Sequence, residues 1–177
     1  MEEFVSKKIL GVSVVSLSIL MLSGNVLAAS DPAAVVDTLN VTVEEICTFS
    51  RTSGTGSISK AMTANKGATG MGGSTFTAIC NAGSGYSVAA TFTTLSGGSG
   101  SATFAYSSPS KGYNRYSAYL GGSSSTTRVT SGGNIIDTSE ADDSTGTSQE
   151  IYYKCSTASD VPYGTYTGTA TYTLTQK

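Results

Sequence analysis

Val161-Pro-Tyr-Gly-Thr-Tyr-Thr-Gly-Thr-Ala-Thr-Tyr-Thr-Leu-Thr175 alternates without a break from Thr165 onward. Thr165, Thr167, Thr169, Thr171, Thr173 and Thr175 fall on one side. Tyr166, Gly168, Ala170, Tyr172 and Leu174 fall on the other. A period of two, built from β-branched and aromatic residues, predicts a strand with one wet face and one buried face. The same pattern recurs upstream. Phe76, Ala78 and Cys80 alternate within Ser74–Cys80, and Tyr86, Val88, Ala90 and Phe92 within Tyr86–Thr93, with the turn sequence Asn81-Ala-Gly-Ser-Gly85 between them. Ala102–Ser107, Asn114–Leu120 and Gln149–Cys155 read as further strands, and Asn134–Asp137 as a short apolar piece. Residues 58–73 show only weak periodicity, and 138–148 read as a polar, acidic, exposed loop. Turn signals separate these runs, so the chain is predicted to be all-β: a Greek-key sandwich of about seven to nine strands.

Composition supports that class. The 177 residues include 21 glycines and only 12% charged residues, and the net charge is −2. So little charge argues against a disordered tail, and the absence of a basic patch gives nucleic acid no electrostatic foothold.

The N-terminus has the form of an export signal. Lys7 and Lys8 precede an apolar run from Ile9 to Leu22, and small residues at Val26 and Ala28 suit cleavage after Ala28. The run is short of the roughly 20 residues needed to span a bilayer, and no other stretch reaches that length. The predicted organisation is a signal peptide over 1–28, an extended N-terminal segment over 29–46 and a sandwich domain over 47–177. In the N-terminal segment Leu39, Val41 and Val43 alternate with Asn40, Thr42 and Glu44, and Glu45 breaks the register. A bulge or a change of sheet would explain the break.

Cys47, Cys80 and Cys155 all follow the predicted signal, and export permits a disulfide. Loop entropy does not choose among the three pairings, which span roughly 3.8 to 4.8 kcal/mol, a range within the strain error of such figures. One thiol is left over. A buried inert cysteine is its commonest fate.

The chain contains no histidine, which removes Ser-His and Cys-His nucleophiles and His-bearing metal sites. The cysteines include no close pair, and no nucleotide-binding fingerprint occurs. Asp137, Glu140, Asp142 and Asp143 form the one acidic cluster, without the ligand spacing of a calcium loop. No catalytic, cofactor or metal site is predicted, and the chain is not expected to be an enzyme. Tyr106, Tyr113, Tyr116 and Tyr119 lie close together with Lys111 and Arg115 between them. Tyr113 and Tyr116 are the candidate ligand contacts. The odd spacing of Tyr116 and Tyr119 puts these two on opposite faces of a strand.

The order of these features resembles the spore coat protein U-like domain, which is similar to the pilins of archaic chaperone–usher pili. The resemblance is carried by Ile46-Cys-Thr-Phe-Ser50, Thr75-Phe-Thr-Ala-Ile-Cys80, Asn81-Ala-Gly-Ser-Gly-Tyr-Ser-Val88, Tyr116-Ser-Ala-Tyr-Leu120 and Pro162-Tyr-Gly-Thr-Tyr-Thr-Gly168. Tyr163 stands where the family pattern has Ala, and Cys155 lies outside that pattern. The resemblance implies an immunoglobulin-like sandwich, a disulfide between Cys47 and Cys80, and polymerisation in which a neighbour's N-terminal segment fills the gap of a missing strand. Leu39, Val41 and Val43 are then the donor-strand residues. The expected role is a secreted or surface-exposed structural or adhesive subunit. Its expected partners are further copies of itself or another surface protein, with a periplasmic chaperone if the host has an outer membrane. The alternative is a monomeric secreted module that binds a glycan or a protein through its tyrosine-bearing loops.

Overall fold

The computed structural model describes residues 38–142 and 145–177. The apolar run Ile9–Leu22 and the cleavage position after Ala28 lie outside these residues. The chain divides into two compact units, 1–41 and 42–177. Of the first, the described residues 38–41 are exposed and carry no regular secondary structure.

The second unit is all-β, with ten strands and no helix among the described residues. They are β1 (Cys47–Ser53), β2 (Thr69–Cys80), β3 (Tyr86–Phe92), β4 (Leu95–Gly97), β5 (Thr103–Tyr106), β6 (Arg115–Leu120), β7 (Gly133–Asp137), β8 (Thr147–Ser156), β9 (Tyr166–Thr167) and β10 (Ala170–Gln176). They form two sheets. Seven strands run in the order β1-β2-β8-β6-β5-β4-β9, and three in the order β10-β3-β7. All pairs are antiparallel except β5 with β6.

The sheets face each other across one core, in a sandwich-like arrangement. From the larger sheet come Phe76, Ala78, Ala118, Ile151 and Tyr153. From the smaller come Tyr86, Val88, Ala90, Ile135 and Ile136. Tyr86, Val88 and Ile151 are fully buried. Taking a side chain of that size out of water is worth about 1.5–3 kcal/mol, so the alternating positions supply the main driving force. The tyrosines keep their hydroxyls satisfied inside. Tyr106 donates to the Val129 carbonyl at 2.7 Å, Tyr116 to the Thr93 carbonyl, and Tyr153 and Tyr172 bond to each other. A second apolar cluster gathers Phe104, Tyr116 and Cys155.

Three features depart from the sequence reading. First, the run Thr165–Thr175 is not one strand. It is split between β9 in the large sheet and β10 in the small one. The crossing falls at Gly168, where a Cβ would stand 2.7 Å from the Leu95 side chain. Second, the weakly periodic stretch before Ser74 is strand from Thr69 onward. Thr69-Gly-Met-Gly-Gly73 has no apolar alternation because its glycines let β8 lie close. A Cβ on Gly73 would meet the Ile151 carbonyl oxygen at 2.6 Å, and one on Gly70 would meet the Tyr152 ring. Third, Asp142 is not a solvated loop residue. Its carboxylate accepts from the Tyr86 hydroxyl, the Cys80 amide at 3.2 Å and the Thr147 hydroxyl at 3.0 Å. It thereby ties the loop after β7 to the fully buried Tyr86.

The close approach at Gly73 is testable. Gly73→Val forces a Cβ against backbone, which cannot swing aside, and we expect it to destabilise the fold by about 2 kcal/mol. At Gly83 nothing lies within 4 Å of an added Cβ, so Gly83→Ala is expected to stay within about 0.5 kcal/mol of the parent. Urea unfolding of both variants measures the difference. Equal midpoints would show that β2 and β8 are not packed as described.

Candidate functional site

The smaller sheet ends at β10, whose only sheet neighbour among the described residues is β3. The Thr93 amide donates to the Thr169 carbonyl at 3.0 Å, and the Lys177 amide to the Gly85 carbonyl at 3.1 Å. The β3–β10 register runs unbroken over seven pairs between these points. Antiparallel ladders alternate bonded and non-bonded pairs. Residues 171, 173 and 175 therefore bond to β3, while Ala170, Tyr172, Leu174 and Gln176 turn their N–H and C=O groups away from it. Ala170–Gln176 carries no charged side chain. Edge strands are usually blunted by charge, proline or bulges, and β10 has none of these devices.

Beside this edge lies a groove lined by both apolar and polar side chains. One part, of about 230 Å³, is lined by Arg51, Ile58, Phe76, Tyr153, Ala170 and Tyr172. The other, of about 930 Å³, is lined by Met62, Phe104, Cys155, Val161, Tyr163 and Tyr166. The two share Gly56, Ile58, Met71, Leu95 and Gly168, so they adjoin each other. Phe76 and Tyr172 pack with ring centroids 4.4 Å apart, and Phe49 adds a ring 5.6 Å from Phe76. The Arg51 guanidinium lies over the Phe76 ring, 5.3 Å from its centroid.

The residues singled out in the sequence fall as follows. Cys47 and Cys80 form a disulfide, opposite each other across β1 and β2. Cys155 is free and buried, with its sulfur against Met62 in the wall of the groove. Burial pushes its thiol up to about 11, so it is held protonated and unreactive at neutral pH. Leu39, Val41 and Val43 are 87%, 89% and 78% exposed and belong to no strand. Just downstream, Asn81 fixes the entry to the domain. Its side chain donates to the Glu44 carbonyl at 2.8 Å and accepts from the Ile46 amide at 2.6 Å.

Tyr116 is a correction. It is only 4% exposed, on the inner face of β6, and its hydroxyl is bonded inside, so it is not available to a surface ligand. Tyr113 is exposed, with the Arg115 guanidinium 4.4 Å over its ring. Tyr119 lies over the side opposite Tyr116, under the Lys154 ammonium at 4.6 Å. The sequence reading overlooked Tyr163, which is 85% exposed at the rim of the larger part of the groove. Of the acidic cluster, Asp137 pairs with Lys177 and Glu140 is exposed. Asp143 lies outside the described residues. Among the described residues, no group of three His, Cys, Asp or Glu could hold a metal ion, and no helix is long and apolar enough to cross a membrane.

The aromatic wall gives the fold an alkaline limit. Burial raises Tyr106 and Tyr116 to about 12, and it raises Tyr86, Tyr153 and Tyr172 as well. Below about pH 9 these groups are neutral in both the folded and the unfolded chain, and their contribution is complete. As pH rises from 10 towards 12 the unfolded chain ionises first, so stability falls. Urea midpoints should stay level up to about pH 9 and then drop steeply, with a shallower drop in the Tyr106→Phe, Tyr116→Phe double variant. An identical drop in that variant would place the alkaline limit elsewhere. No family model matches the chain, and neither a curated protein nor a solved structure matches it.

Proposed function

We propose that the chain is an exported structural or adhesive subunit of a bacterial surface, an immunoglobulin-like sandwich short of one strand, which polymerises by strand donation. Leu39, Val41 and Val43 of one copy enter the groove of the next. Their backbone extends the small sheet at the free edge of β10, and the assembly role is one of contact rather than catalysis. The observation that carries this reading is the pairing of a sheet edge at β10 with an adjacent cavity walled by Phe76, Tyr153, Ala170 and Tyr172, in a chain that also exposes three alternating apolar residues. An added strand supplies main-chain hydrogen bonds, and its alternate side chains supply specificity.

The magnitudes are adequate. Burying three such side chains is worth about 1.5–3 kcal/mol each, before the cost of ordering the segment. The remaining stabilisation comes from the backbone ladder. The contact is head-to-tail, so it propagates into a filament rather than closing a dimer. An unfilled groove is sticky, which accounts for a periplasmic chaperone where the host has an outer membrane. The rival reading, a monomeric binding module, is favoured by exposed Tyr113 and Tyr163.

The test uses complementary defects. Leu39→Asp, Val41→Asp, Val43→Asp abolishes the donor, and Ala170→Trp blocks the groove. Each variant alone should remain monomeric by light scattering, and an equimolar mixture should form dimers only. The parent should form fibres visible by electron microscopy. A parent that stays monomeric at every concentration, or variants that polymerise like it, would overturn the proposal.

A further inference from the structure

Among the described residues, three sulfur atoms lie outside the disulfide, and all three meet at one place. They belong to Met62, Met71 and Cys155. Cys155 is 3% exposed, and both methionines pack against the small cluster it forms with Phe104 and Tyr116. The Cys155 thiol donates to the Met62 thioether at 2.6 Å. All three side chains line the larger cavity, of about 930 Å³.

Separate elements bring them together. Cys155 is placed by β8. Met71 sits on β2 where its register with β8 shifts. Gly70 pairs with Lys154 and Gly72 with Tyr153, so Met71 is the extra residue of a bulge. A bulge re-aims the side chain it carries, and here that side chain lines the cavity. Met62 comes from 54–68, the strand-free segment between β1 and β2. Methionine commonly serves as core filler, because its unbranched chain fits irregular gaps. These two instead border open space, beside the only free thiol among the described residues.

Thiolate and thioether are soft ligands and select copper(I), whereas zinc is held by thiolate, imidazole or carboxylate. The cavity lining has no imidazole or carboxylate, and Lys60 is its only charged residue. Charge makes the same choice. One thiolate and two neutral thioethers cancel a single positive charge, so a monovalent ion leaves the site neutral. A divalent ion would leave a positive charge among Ile58, Leu95, Phe104 and Val161, and Lys60 already acts on Cys155 from nearby. An uncompensated charge in such surroundings is costly. Three coplanar bonds of about 2.3 Å, the zinc–thiolate length, would set the sulfurs roughly 4 Å apart. Met62 must then draw back by about 1.4 Å, which its three rotatable side-chain bonds on a strand-free segment permit.

We propose that Met62, Met71 and Cys155 bind one copper(I) ion in the wall of the larger cavity. The ion displaces the thiol proton to solvent and forms one thiolate and two thioether bonds, with no change of oxidation state. This inference does not rest on strand donation.

The probe is copper(I) presented by the coloured chelator bicinchoninate, under argon with ascorbate. The purified chain should withdraw one equivalent and develop near-ultraviolet sulfur-to-copper absorption. Cys155→Ser should lose both. Met62→Leu, Met71→Leu conserves volume and keeps the thiol, so its circular dichroism should match the parent. It should bind roughly 100-fold more weakly, since even an indirect partner of a metal commonly carries roughly 10–100-fold in affinity. Zinc(II) at equal concentration should leave the copper in place. A parent chain that takes no copper from the chelator would overturn the proposal. So would parent-like affinity in the double methionine variant, or a full equivalent retained by Cys155→Ser. Displacement by zinc would overturn it as well.

Discussion

A three-stranded sheet cannot cover the inner face of a seven-stranded one. Strands lie about 4.8 Å apart, so the four-strand difference leaves apolar surface that the small sheet does not reach. Part of the deficit is met by chain folding back, since 56–62 and 161–168 wall the larger cavity. The rest remains as a channel beside β10. The buried tyrosines follow from the same imbalance. Where sheet no longer opposes sheet, large rings fill the space, and each hydroxyl is satisfied by a carbonyl or by another ring's hydroxyl.

The mismatch also explains the crossing at Gly168. Tyr166–Thr167 pairs with β4 at the far end of the large sheet, whereas Ala170–Gln176 pairs with β3 in the small one. A single segment thus bridges the two layers. Its inward residues, Tyr166, Ala170 and Tyr172, line the channel, and its outward threonines face solvent. Two-residue periodicity lets one strand serve both sides with unrelated chemistry, because substitutions on one face leave the other untouched.

What the sequence revealed divides along the same physical line. Local alternation was legible. Tyr86–Phe92 was read nearly to its ends, and the opposite orientations of Tyr116 and Tyr119 follow from parity alone. Contacts between distant segments were not legible. Nothing local marks Thr69–Gly73 as strand, because its reason is the backbone of β8 lying against it. Nothing local distinguishes Asp142 from Glu140, because the hydroxyl it holds belongs to Tyr86. Loop entropy could not select a disulfide, since the three loops differ by about 1 kcal/mol. The pairing of Cys47 with Cys80 comes instead from the β1–β2 register, which sets them opposite each other. The burial of Tyr116 escaped notice because a tyrosine near a basic residue looks the same whether its strand faces in or out.

The two outer faces show that composition alone does not decide what a Ser/Thr-rich surface does. Both sheets are rich in hydroxyls, and high β-propensity accounts for threonine on either. In the large sheet, positions 52, 77 and 148 come from three adjacent strands, and their hydroxyls close on one another. In the small sheet the threonines of β10 stand beside alanine and serine as well as threonine, and most rows lack a reciprocal partner. An edge strand with one column of them is also the place where a further strand would add another: Thr38, Asn40 and Thr42 alternate with the apolar residues proposed to enter the channel.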